Sequence, residues 1–344
     1  MFYKIDFYYI VYRKDIMELP NFKKILLLVS IAISFYIIYS LVQRRQTLMV
    51  TTESFQTSMA TINPTVSLQY ALKEYTIFSS WNSCALSDGN VSLDQLEIVF
   101  QNGCRFLDFE VYYIENKPVI GFSMNSFNQK ESIQQIDSEK VIPFLDLCTA
   151  ISVYSSSKCP NPSDPLFLHF RIKTNNLKIF NDMAEAFKSS GLDKKFYKGT
   201  VNEYTILSTL ANKIVIVVDR TYVPNIKLEG QNMIQMFSGT RTLSTMQIQN
   251  RLGKLPRPLT LETDNETNTE TVKMVTYPFG SDYEFQNSDK FATLVMKHSI
   301  QIVPHKFYSN DESLQEYKNF YSDNGHHAFI TMGVAHNALS FNYE

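Results

Sequence analysis

Apolar and polar positions alternate most plainly at residues 103–113, Gly-Cys-Arg-Phe-Leu-Asp-Phe-Glu-Val-Tyr-Tyr. Side chains of a β-strand point to opposite faces in turn. Leu107, Phe109 and Val111 therefore share one face, and Phe106, Asp108, Glu110 and Tyr112 share the other. The two carboxylates point the same way, about 7 Å apart along the strand. Such a pair needs a cation, hydrogen bonds or water. A wet outer face of an antiparallel sheet would serve equally well.

The rest of the chain is punctuated in the same way. A short helix is expected at 68–74 and a strand at 75–80. Helical spacing of Leu96, Val99 and Phe100, with a Ser92/Gln95 capping box and Gly103 as the stop, predicts a helix over 92–102. A turn at Glu115-Asn116-Lys117 leads to a strand at 118–123. Residues 138–155 read as a helix with Pro143 in its first turns. Residues 166–173 read as a strand with His169, Arg171 and Lys173 on one face. An amphipathic helix over 176–190 ends at Gly191, and 213–219 is a continuous apolar run, as in a parallel strand buried on both faces. Residues 228–271 hold few convincing elements. A strand at 272–279, a helix at 288–298, a strand at 300–307, a helix at 311–321 and a closing strand at 328–332 follow. Strands repeatedly following helices predict an α/β domain with a parallel sheet, in the form of a closed or distorted TIM-like (β/α) barrel.

Residues 25–42 are uncharged and about long enough to cross a bilayer as a helix. No small-x-small cleavage site follows them, which favours an uncleaved anchor over a signal peptide. The expected organisation is a cytoplasmic tail (1–24), a transmembrane anchor (25–42), a polar stalk (43–66) and a barrel domain (67–344). Lys4, Arg13, Lys14, Lys23 and Lys24 outweigh Arg44 and Arg45. That excess places the barrel in a lumen or outside, unless Met17 is the true start. The expected localisation is a single-pass membrane protein, a virion envelope being one candidate.

Composition changes this picture little. A net charge of -2 gives no global attraction to nucleic acid. The sparse Gly and abundant Phe and Tyr hint at an AT-rich genome, such as that of a large DNA virus. The four cysteines (Cys84, Cys104, Cys148, Cys159) all follow the anchor. Cys148 and Cys159 could close a short disulfide loop outside the cell; four buried thiols are the alternative. Asn90 and Asn265 head glycosylation triplets.

The order Ser79-Ser80-Trp81-Asn82-Ser83, Gly103 to Glu110, Lys117-Pro118-Val119-Ile120 and Pro165 to Ile172 resembles the X region of phosphatidylinositol-specific phospholipase C. The resemblance covers roughly residues 70–219. It implies a TIM-like barrel that cleaves inositol lipids, commonly with calcium. The positions of the two catalytic histidines fall on Trp81 and Phe122, which cannot transfer a proton. The implied metal ligands fall on Asn82, Asp108 and Glu110, and the fourth falls on Arg171, a cation. The substrate lysines fall on Val217 and Asp219. A fixed guanidinium beside a divalent cation costs several kcal/mol, roughly, at any plausible dielectric, so an Arg171–carboxylate pair is expected in place of the metal.

The leading expectation is thus a membrane-anchored phospholipase C-like pseudoenzyme with a structural or binding role. No cofactor is expected, and the partner is a phospholipid headgroup or a protein. The alternative is a divergent phosphodiesterase using calcium, with acid and base relocated to His169 or His305. For those two histidines, and for His326, His327 and His336, ordinary core or surface roles are the bland reading.

Overall fold

The computed structural model describes residues 68–123, 139–219, 233–247, 271–277 and 291–340, with 33, 34, 36, 60 and 287. The chain divides into two compact units, Met1–Ser54 and Phe55–Glu344, and every element below lies in the second.

The strands are β1 (Tyr75–Ile77), β2 (Ser79–Ser80), β3 (Phe106–Ile114), β4 (Lys117–Gly121), β5 (Ile142–Pro143), β6 (Leu166–Ile172), β7 (Ile214–Asp219), β8 (Met236–Ser238), β9 (Leu243–Gln247), β10 (Val272–Thr276) and β11 (Phe329–Thr331). The α-helices are α1 (Leu93–Gln101), α2 (Phe144–Ser157), α3 (Lys178–Ser189), α4 (Phe291–His298), α5 (Glu312–Asp323) and α6 (Met332–Ser340). One sheet runs β10-β9-β8-β7-β6-β3-β4-β5, with β2 also on β3. Its β2, β3, β6, β7, β8, β9 and β10 pair in parallel, whereas the β3–β4 hairpin and β5 are antiparallel.

The fold class is therefore mixed α/β around a parallel sheet. Regular pairing does not close into a barrel among the described residues. Between β10 and β1–β2 only isolated bridges occur, Met274–Ile302, Ile77–Ile302 and Ser80–His305. The strand expected at 300–307 is reduced to these bridges. Pro304 lacks the N–H a ladder requires, and Ser299, the residue before the expected strand, has a positive φ of 50°.

The core follows the apolar runs. β3, β6 and β7 are buried almost throughout, as strands covered on both faces are, and Phe170 of β6 packs on Phe144 of α2 and Phe187 of α3. The face carrying Asp108 and Glu110 is accordingly dry, and the wet-face reading is corrected. The β3–β4 turn puts Glu115 and Asn116 at positive φ (48° and 60°), the pair of values that a two-residue hairpin turn demands.

Several expected boundaries move. α1 is capped by Ser92, but its hydroxyl accepts from the Asp94 N–H, and Gln95 is buried rather than closing a capping box. The helix expected from 138 starts at Phe144, since Ile142 and Pro143 pair with β4. β8 and β9 occupy the stretch that held few convincing elements, and α6 was not anticipated. β11 runs antiparallel to β1 and does not close the parallel sheet. All four cysteines are buried free thiols, so Cys148 and Cys159 are not joined. No helix among the described residues is long and apolar enough to cross a membrane. The tail, stalk and apolar run at 25–42 lie outside the described residues, apart from Ile33, Ser34, Tyr36 and Ala60.

Candidate functional site

The site follows from register. β3 and β6 are parallel neighbours in which Asp108 pairs with His169 and Glu110 with Arg171. With a side-chain period of two, all four project to the same side. The loop after β2 adds Trp81 and Asn82. Asn82 adopts a left-handed φ of 44°, which Asn tolerates better than most residues. Its backbone N–H donates to Asp108 Oδ2 at 3.0 Å.

Arg171 sits at the centre, 2 % exposed. Its Nε donates to Asp108 Oδ1 at 2.9 Å and its Nη2 to Asp108 Oδ2 at 2.7 Å, a two-pronged grip. Nη1 donates to Glu110 Oε1 at 2.7 Å and Nη2 also to Asn82 Oδ1 at 2.6 Å. The guanidinium carbon lies 3.8 Å from the Trp81 ring centroid, a cation–π contact that is worth most when desolvated. Trp81 meets Tyr277 edge-on at 5.1 Å, and Lys306 Nζ lies 4.3 Å from the Tyr277 ring.

The carboxylates are otherwise satisfied. Glu110 Oε2 accepts from the Tyr112 hydroxyl at 2.7 Å and the Ser123 N–H at 3.2 Å. Asp108 Oδ1 also meets His169 Nδ1 at 2.7 Å, and His169 Nε2 meets Ser238 Oγ at 2.8 Å. Burial alone would raise the Asp108 carboxyl; the Arg171 charge and the hydrogen bonds from His169 and Arg171 outweigh it and hold the group well below the usual carboxylate range. Burial likewise opposes the Arg171 charge, and Asp108 and Glu110 overcome it. Lys173 Nζ lies 4.0 Å from Glu110 Oε1, and burial pulls its ammonium down to about 7.

The expected Arg171–carboxylate pair is thus present. Asn82, Asp108 and Glu110 aim their oxygens at one point, and that point holds a guanidinium. This set does not fit calcium, a hard cation that takes oxygen ligands on all sides. Among the described residues no cluster of three His, Cys, Asp or Glu side chains could hold a metal.

The other anticipated residues divide. Trp81 joins the site. Phe122 is buried against Tyr308 at 5.5 Å, beside Ser123, whose backbone reaches Glu110. Val217 is the register neighbour of His169 on β7. His305 stacks flat on Tyr317, 3.7 Å between centroids, with Nδ1 to the Val303 carbonyl at 3.0 Å; burial lowers it to about 4. It is a core histidine. Ser238, Lys306 and Tyr277 were missed. Ser238 lies on a strand of three residues, too short to carry a period.

No protein-family model matches this chain, and no curated protein matches its sequence. Solved structures do match. PLC21 of S. officinalis superposes with a TM-score of 0.55 and 17% identity, over 78% of this chain and 38% of that one. PLC21 of L. pealei gives 0.54 and 15%, over 79% and 38%. This chain therefore spans well under half the length of either. A calcium-dependent phosphoinositol-specific phospholipase C from a Gram-negative Pseudomonas aligns at 0.45 and 10%, over 80% of this chain and 100% of that one. The chain has the phospholipase C-like fold.

Proposed function

We propose that this chain is a phospholipase C-like domain that has given up metal-dependent phosphodiester cleavage and serves as a structural or binding module, held at a membrane by residues 25–42. One observation carries the reading: Arg171 fills the point on which Asn82, Asp108 and Glu110 converge. A divalent cation there would have to displace a buried guanidinium with four charge-assisted or polar bonds, and the like charges would repel strongly over a few ångströms. Trp81 and Phe122 add to this, since neither can act as general acid or base. With the interior committed to self-contacts, binding to a phospholipid headgroup or a protein would fall to the loops.

The test is hydrolysis of phosphatidylinositol and its phosphorylated forms by the full-length chain in detergent, with calcium and with chelator, beside Glu110→Ala. The expected result is no turnover in any condition. Calcium-dependent turnover that disappears in Glu110→Ala would refute the reading.

A second reading, a divergent phosphodiesterase with relocated acid–base groups, draws support from His169 alone, which faces both Asp108 and Ser238. Metal-independent turnover in the same assay would favour it.

A further inference from the structure

Asp108, His169 and Ser238 form a line. His169 Nδ1 lies 2.7 Å from Asp108 Oδ1, and His169 Nε2 lies 2.8 Å from Ser238 Oγ. They come from β3, β6 and β8, far apart in sequence, and all three side chains are 0% exposed. The hydrogen bonds order the protons along the line. Asp108 accepts from Arg171 at both of its oxygens, and a carboxylate gripped in this way only accepts. The His169 proton facing Asp108 therefore sits on Nδ1, and in the neutral form of the ring Nε2 is left with a lone pair for the Ser238 hydroxyl. That is the arrangement in which an imidazole takes a proton from a serine while a buried carboxylate fixes its tautomer.

We propose that Ser238 is a serine nucleophile, with His169 as its proton acceptor and Asp108 as the positioning residue. The proposal is independent of the loss of metal chemistry argued above, because this route uses no metal. The substrate class follows from charge. Arg171, which shares Asp108 with His169, is committed to Asp108 and Glu110, and the Phe106 ring centre lies 5.6 Å from that of His169. These surroundings suit a small uncharged carboxylic ester better than an anionic phosphodiester. In the first step the Ser238 Oγ–carbon bond forms, the ester C–O bond breaks, and the serine proton passes through His169 Nε2 to the departing alcohol. Water then releases the acyl group by the reverse proton path. Ser238 ends its strand, and the next residue, Gly239, is exposed with φ of 70°. Access therefore requires a local opening at the end of β8, and the reaction is expected to be slow.

The experiment treats the folded full-length chain with a small fluorophosphonate, which forms an Oγ–P bond and expels fluoride. Adducts are mapped by peptide mass and timed by intact mass in the native protein, in 8 M urea at about the same pH, and in Ser238→Ala and His169→Gln. The expected result is one adduct, on Ser238, absent from Ser238→Ala and from the urea sample. Its formation should be slowed about a hundredfold or more in His169→Gln, the usual range for losing a general base. No adduct on the native chain, an adduct only at other residues, or a Ser238 adduct that forms equally fast in urea would overturn the proposal. An unchanged rate in a folded His169→Gln would do the same. If His169→Gln does not fold, the native-against-urea comparison decides. None of these failures touches the reading of Arg171.

Discussion

The Arg171 guanidinium lies 3.8 Å from the Trp81 ring while gripping Asp108 with two of its nitrogens. One side chain thus neutralises the buried acids, and one aromatic ring covers it. Removing either partner exposes what the other was balancing.

Truncating Arg171 leaves two buried carboxylates without their cation. Arg171→Met should lower stability by about 3–5 kcal/mol, the usual cost of breaking a buried ion pair from one side. The midpoint of urea unfolding measures it. Removing the exposed Lys178, which pairs with Asp182 at 3.3 Å, should leave that midpoint unchanged within error. Equal effects would mean that the Arg171 cluster is not what holds these strands.

Trp81→Ala removes a buried ring and the cation–π lid together. A loss of about 3–5 kcal/mol is expected from the cavity alone. Trp81→Phe should recover most of it, since an aromatic face remains for the guanidinium. Thermal melts of the two variants distinguish these outcomes. A Trp81→Phe protein as unstable as Trp81→Ala would show that the cation–π geometry contributes little.

His305 makes stability fall on acidification. Its folded value is near 4 because of burial, against about 6.5 for the unfolded chain. Between those values the unfolded state binds more protons, so stability rises with pH from 4 to 6.5 and is lost as pH falls through the same window. A shift of this size corresponds to about 3 kcal/mol. His305→Phe keeps a ring against Tyr317 and should flatten that part of the curve. Unfolding free energies at several pH values across the window give the slope, and an unchanged slope would assign the acid sensitivity elsewhere.

The parallel core was readable because its signal is local. Residues 166–173 alternate clearly and 213–219 are a continuous apolar run, and they became β6 and β7 within a residue or so. The site was readable for a related reason. The two-residue period put Asp108 with Glu110 and His169 with Arg171, and only the register between β3 and β6 was needed to join them. Ser238 could not be found this way. It lies on a three-residue strand, and its partner is chosen by sheet order rather than by any pattern in its own segment. The strand expected at 300–307 failed because an apolar run does not report whether a Pro304 will sit within reach of a neighbour. Whether the wet or the dry face carried Asp108 and Glu110 also depended on tertiary cover, which the strand itself does not encode.

Calcium titration by calorimetry, on the full-length chain and on Arg171→Gln, tests the central claim most directly. The account predicts no binding heat for the native chain. It predicts binding by Arg171→Gln, in which Asn82, Asp108 and Glu110 keep their oxygens and lose the competing cation. Calcium binding by the native chain that is lost in Glu110→Ala would contradict it.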